Sequence, residues 1–238
     1  MKDKTGSPTT RKLLLEQARR PVVALPAIFA VALIVGLFLD NWVGAMRGHW
    51  PWPLERPSRI LTDIGKSAWI LYACAAMIAA GAMLVRRAMY RRRQHIGSYL
   101  VSAGFYIFAS VALSGIISNL LKRIIGRARP VEHADFGVLG FHPLAGNYAF
   151  ESFPSGHSTT AGALSMALAL LFPRMRTFFL VAGLLLMSTR IFVGAHYASD
   201  GTAGLLFGAW FAFMTAWWFA DRDWLFVDGG QGLPQPRR

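Results

Sequence analysis

Three short stretches of this 238-residue chain carry residues able to do polar chemistry in otherwise apolar surroundings. Lys122, Arg123, Arg127 and Arg129 stand together in KRIIGRARP. Pro154-Ser155-Gly156-His157 is a polar turn that runs directly into apolar sequence, and Arg190, His196 and Asp200 share TRIFVGAHYASD. Cations in excess, with two imidazoles and one carboxylate, call for an anionic ligand. Arginine matches the oxygens of phosphate geometrically. At the start of a helix, the backbone N–H groups of Ser155, Gly156 and His157 would be unpaired donors facing such an anion. Glycine there lets the ligand come close to the backbone. Taken singly, each residue has a plainer role, since Ser caps helices, Gly permits turns and His sits at interfaces. The set gains weight only if the fold brings the three stretches to one place.

The elements that must do this are apolar. Hydrophobic residues make up 54% of the chain and charged ones 16%, which is too apolar for an ordinary soluble domain. Six segments read as membrane spans: 22–39, 67–85, 99–121, 158–172, 177–193 and 202–220. A helix needs about 20 residues to cross the hydrocarbon core, so the fourth is expected to extend towards Gly156 or Arg174. The runs are continuous rather than alternating, which argues against a strand barrel. The expected fold is therefore all-α, a six-span helical bundle with short interfacial helices or loops on its outer face. It would comprise a basic segment 1–21, the membrane domain 22–220 and a tail 221–238.

Basic residues set the direction. Lys2, Lys4, Arg11, Lys12, Arg19, Arg20, Arg86, Arg87, Arg91, Arg92, Arg93, Arg174, Arg176, Arg222, Arg237 and Arg238 fall on one side, sixteen of 25 Lys and Arg. The positive-inside rule places that side, and both termini, in the cytoplasm of a bacterial inner membrane. This topology accounts for the net charge of +13 better than nucleic-acid binding does. The first span is longer than the usual ~7–15 residues of a signal peptide and reads as a retained anchor. GHWPWPLERPSRI reads as an interfacial loop or short helix. The single cysteine, Cys74, excludes an internal disulfide framework and reads as packing. With this topology all three polar stretches reach the same outer, periplasmic level.

Their spacing resembles the three signatures of the type 2 phosphatidic acid phosphatase family. These are Lys122, six residues, then Arg129-Pro130; Pro154-Ser155-Gly156-His157; and Thr189-Arg190, with His196 and Asp200 following at the family's intervals. Thr189 replaces the usual Ser and keeps a hydroxyl. The resemblance implies that His196 is a nucleophile forming a phosphohistidine, that Asp200 fixes its tautomer, and that His157 is the general acid. Lys122, Arg129, Ser155, Gly156 and Arg190 would hold the phosphoryl oxygens, with no metal and no other cofactor. It leaves Arg123 and Arg127 without a role, as headgroup-facing anchors. His133, His142, Asp135 and Glu151 in the 131–153 loop read as solvated, Asn119 as an interhelical hydrogen bond, and Trp210, Trp217 and Trp218 as interfacial packing.

The expected activity is hydrolysis of a phosphomonoester or pyrophosphate on a lipid headgroup. Candidates are undecaprenyl pyrophosphate, phosphatidylglycerol phosphate, phosphatidic acid and lipid A phosphates. Phosphotransfer from the same site is an alternative. From another class, an anion transporter would suit six spans and buried cations, although no internal repeat supports it.

Overall fold

The computed structural model describes residues 23–228 and 234–237. The basic segment 1–21 and part of the tail lie outside the described residues. Seven helices carry the architecture. They are α1 (Val23–Ala45), α2 (Trp52–Leu61), α3 (Ser67–Arg86), α4 (Arg91–Ile125), α5 (Gly156–Leu171), α6 (Arg176–Phe192) and α7 (Ala198–Ala220). One turn of α1, Gly36–Asp40, is π-helical.

Five segments are long and apolar enough to cross a membrane: α1, α3, α4, Pro173–Phe192 with α6, and α7. The sixth expected span is α5. It does extend to Gly156, but its 16 residues cover only about 24 Å at 1.5 Å per residue, against a core of about 30 Å. Eleven of those residues are buried. The helix is the central post of the bundle, packed by α4, α6 and α7. Its shortness is compatible with its position, because neighbouring helices rather than lipid meet its sides. By contrast α4 has 35 residues and outruns the expected 99–121 towards Arg91. Arg91, Arg92, Arg93 and Gln94 favour helix and can continue it beyond the apolar depth.

The exterior is apolar where lipid would touch it. Leu33, Leu37 and Phe38 of α1, Ile116, Leu120 and Ile124 of α4, and Leu184 and Leu185 of α6 are all exposed. Asn119, expected to bond between helices, is exposed on α4 instead. Lipid tails are as apolar as leucine, so burial of large side chains cannot drive these helices together; close packing of small ones can. The α5–α7 interface is built that way from Gly162, Gly204 and Gly208, with Ala163, Ala167, Ala212 and Ala216. A Cβ on Gly208 would run into the carbonyl of Thr159, and one on Gly162 into that of Leu205. Between α4 and α7, the buried Tyr106 hydroxyl donates to Ala212 O at 3.0 Å. Cys74 is buried on α3, as its packing role requires.

The tail departs from the all-α expectation. Residues Phe226–Asp228 (β1) and Pro234–Pro236 (β2) pair antiparallel, with Phe226 opposite Pro236. Phe226 packs edge-on against Tyr106 at 4.9 Å and closes the core at the end bearing Arg86, Arg91 and Arg174. At the other end, the C-termini of α4 and α6 meet the N-termini of α5 and α7, and the three polar stretches converge.

Because α5 and α7 touch backbone to backbone, Gly208→Leu is expected to destabilise the bundle by about 1–3 kcal/mol or more. Gly115→Ala, where an added Cβ meets nothing within 4 Å, should leave stability level or slightly raised. Thermal unfolding of both variants in detergent checks this.

Candidate active site

The backbone brings the cations together first. Gly126 ends α4 in the left-handed conformation (φ 64°, ψ 37°), and its N–H returns to Lys122 O. A side chain there would also strike the carbonyl of His142. The chain then runs extended and is stitched to the 131–153 loop. Ala128 N donates to Gly140 O, Arg129 N to Ala149 O, and Ser152 N to Arg127 O. The edge of that loop that holds Arg127 and Arg129 walls the site, while much of the rest, Asp135 and His142 included, is exposed as expected. After α6, Gly194 (φ 67°) reverses the chain so that the amides of Ala195 and His196 both reach Arg190 O.

Lys122, Arg129 and Arg190 are all buried. Arg129 is locked by carbonyls: Nε donates to Tyr148 O at 2.9 Å, Nη2 to Glu151 O at 2.9 Å and Nη1 to Ala195 O at 3.1 Å. Its guanidinium stacks on the Tyr148 ring at 3.8 Å, and burial pulls it below its ordinary range of basicity. Arg190 Nη1 donates to Thr62 Oγ1 at 2.5 Å, while its buried Nε has no hydrogen-bond partner among the described residues. Lys122 Nζ lies against Gly156, 3.2 Å from where a Cβ would stand, which is why glycine fits there. None of the three forms an ion pair with a carboxylate among the described residues.

The cradle at α5 differs from expectation in one donor. Ser155 is the cap residue, with its hydroxyl facing Ser158 N, but its own N–H is taken by Asp200 O at 3.0 Å. Only Gly156 and His157, first in the helix, keep amides without an intrahelical acceptor. His157 packs beside Gly65, in the turn Thr62–Gly65 that links α2 to α3.

His196 precedes α7 and Asp200 sits in its first turn, so the pair meets across the helix start. His196 Nδ1 is 3.7 Å from Asp200 Oδ2, and Nε2 is 3.3 Å from Arg129 Nη1. With Arg129 donating to Nε2, the ring proton belongs on Nδ1, aimed at Asp200. Burial, opposed by Asp200 and reinforced by Arg129, pushes His196 down to about 3. The ring is neutral near pH 7, and a neutral ring nitrogen is the form that can attack phosphorus.

Asp200, 0% exposed, accepts more bonds than the sequence suggests. Tyr197 N donates at 2.9 Å, Ser152 Oγ at 2.6 Å and Arg127 Nη1 at 2.7 Å. Arg127 is thus no headgroup anchor: it is buried between two carboxylates, with Nη2 donating to Asp40 Oδ2 at 2.8 Å. Burial works against its charge, but Asp200 and Asp40 outweigh this and hold it above its ordinary range. Arg123 is exposed, 3.5 Å from Glu151. Among the described residues, no three His, Cys, Asp or Glu side chains are grouped as a metal site.

The pattern of the PAP2 superfamily matches residues 103–224, which include all eight candidate residues of the site. The chain belongs to the PAP2 superfamily. It is 44% identical over 209 residues to the lipid A 1-phosphatase of Rhizobium johnstonii, covering 88% of this chain and 84% of that one. To the lipid A 1-phosphatase of Rhizobium etli it is 43% identical over 211 residues, covering 89% and 90%. It is 26% identical over 128 residues to an undecaprenyl-diphosphatase of Sulfolobus acidocaldarius, covering 53% and 57%. A solved transmembrane PAP2-type phosphatidylglycerolphosphate phosphatase from Bacillus subtilis aligns with TM-score 0.49 and 19% identity, over 89% of this chain and 95% of that one. Like other PAP2 membrane phosphatases, the protein is a hydrolase acting on lipid phosphate.

Within the PAP2 match, sequence reading missed Arg127, Ser152, Ser199 and Tyr148. Outside it, Asp40 and Thr62 were missed too. One signal was available: Asp40 is an acid at the end of an apolar span, and ionisable groups at membrane depth usually have partners.

Arg127→Met would leave two carboxylates buried without their cation and is expected to cost about 3–5 kcal/mol, read by detergent unfolding. For His196, the unfolded ring binds a proton below about pH 6.5 while the folded ring resists it down to about 3. Stability is therefore lost as pH falls through that window. The melting temperature of the parent protein should drop more steeply between pH 6.5 and 4.5 than that of His196→Gln.

Proposed function

We propose that the protein removes the 1-phosphate of lipid A at the periplasmic face, through a covalent phosphohistidine. One observation carries the chemistry: three buried cations without carboxylate partners among the described residues lie close together, and one of them, Arg129, touches Nε2 of a histidine whose Nδ1 faces a carboxylate. Their uncompensated charge suits a phosphoryl group, and buried charge without a counter-ion is costly. Among the four candidate lipids, the 44% identity to a lipid A 1-phosphatase over most of both chains favours lipid A.

In this reading Arg129 Nη1 turns from His196 Nε2 to a phosphoryl oxygen as substrate binds. The freed Nε2 lone pair attacks phosphorus as the bond to the lipid oxygen breaks, and His157, protonated once the anion fills the bowl, gives its proton to the departing oxygen. Asp200 faces Nδ1–H and stabilises the positive ring of the phosphorylated intermediate. At 3.7 Å the two are too far apart for a hydrogen bond and buried Nδ1 has no partner among the described residues, so in this reading the pair closes as the reacting complex forms. Water then splits the N–P bond, releasing inorganic phosphate. Arg129, Arg190, Lys122 and the amides of Gly156 and His157 face the charge that builds on the phosphoryl oxygens. Acyl chains stay in the bilayer beside the exposed apolar walls. The excess of basic residues at the opposite end supports cytoplasmic termini and a periplasmic site.

Purified protein in EDTA is expected to release phosphate from lipid A faster than from phosphatidic acid, phosphatidylglycerol phosphate or undecaprenyl pyrophosphate. Mass spectrometry should place the loss at position 1. His196→Ala should remain folded and lose on the order of 10³-fold or more in turnover. Faster release from another lipid would overturn the substrate; an active His196→Ala would overturn the chemistry.

A further inference from the structure

Asp40 lies outside the PAP2 match, on the first helix, and none of the family signatures reaches it. It is 2% exposed, in a π turn whose neighbours Leu37, Phe38 and Leu39 face outward. Such turns are uncommon and often occur at functional places. Gly36 makes the approach possible: a Cβ there would stand 3.2 Å from Asp40 Oδ2 and 3.3 Å from Ser199 Cβ. Asp40 Oδ1 accepts Ser199 N at 2.9 Å, in the first turn of the helix that holds Asp200. Its Oδ2 accepts Arg127 Nη2 and the Ser199 hydroxyl, and that hydroxyl in turn accepts Arg127 Nη1 at 2.7 Å.

We infer that Asp40 is a positioning residue for catalysis: by taking half of Arg127, it leaves Asp200 with the negative charge that His196 needs. The charge count shows why. Asp40, Arg127 and Asp200 together carry one net negative charge, buried, on the Nδ1 side of His196. Without Asp40, Arg127 would be matched one to one with Asp200, and the ring would face a neutral pair. Proton acceptance at Nδ1–H would weaken, Nε2 would be a poorer nucleophile, and the positive phosphohistidine ring would lose its counter-charge. Among the described residues the other charged groups that act on the ring, Arg129 and Arg190, are both positive, so neither replaces the missing charge. Asp40 also ties the start of α7 to α1, which fixes where Asp200 stands. Asp40 does not touch the phosphoryl site, so binding of phosphate should not depend on it.

This inference rests on His196 being the nucleophile and Asp200 its partner. Asp40→Asn keeps the shape and removes the charge. Measured on the full-length protein, its kcat is expected to fall about 10–100-fold, while KM and the competitive inhibition constant of inorganic phosphate stay within about twofold. A merely structural role would raise KM and the phosphate constant together, and that result, or a parental kcat, overturns the inference. Should Asp40→Asn fail to fold, Asp40→Glu keeps the charge and changes only its reach. Its kcat is expected to stay within about threefold of the parent, and a loss of about tenfold or more with the charge retained overturns the inference. His196→Ala separates the two levels: if it is active, the underlying reading falls, whereas an inactive His196→Ala beside a fully active Asp40→Asn sinks this inference alone.

Discussion

The site depends on how buried charge is divided. Among the described residues four buried cations stand at one end of the bundle, and the fold treats them in two ways. Arg127 is saturated, with two carboxylates, a serine hydroxyl and a backbone carbonyl around it. Lys122, Arg129 and Arg190 are held in place by carbonyls, a threonine and packing, none of which cancels a charge. One cation has become scaffold and three remain as a demand for an anion. Had the two carboxylates fallen among the other three cations, the bowl would be close to neutral and a phosphate would gain little by entering it.

Keeping that division needs rigid backbone, and the means are small residues. Glycines at the α5–α7 crossing let two helices touch through their main chains, so the cradle of one and the first turn of the other share a fixed distance. The amide of Ser155 bonded to Asp200 O is the direct result. A leucine-rich crossing would leave more slack, because in lipid there is no gain from merely hiding apolar surface.

Much of this was legible in the sequence, and the part that was not has a physical cause. The helical bundle follows from the apolar runs, and the convergence of Lys122, Arg129, Arg190, His196 and Asp200 at one end of it follows from where the three polar stretches stand between those runs. What those signals do not report is pairing. Arg123 and Arg127 look alike in KRIIGRARP, yet one is exposed and the other buried, because a left-handed glycine between them turns the chain under the site. Asp40 reads as the end of a span, since its partners lie 87 and 159 positions away. The hairpin after α7 was hidden for a similar reason: Phe226 packs on Tyr106 of α4, far from it in the sequence.

The short central helix has a consequence for how the bundle meets a bilayer. A post of about 24 Å falls short of a hydrocarbon core of about 30 Å. A lone helix of that length would force the lipid around it to thin. Enclosed by α4, α6 and α7, it meets protein instead, so a helix too short to span on its own can still carry the polar threshold of the site.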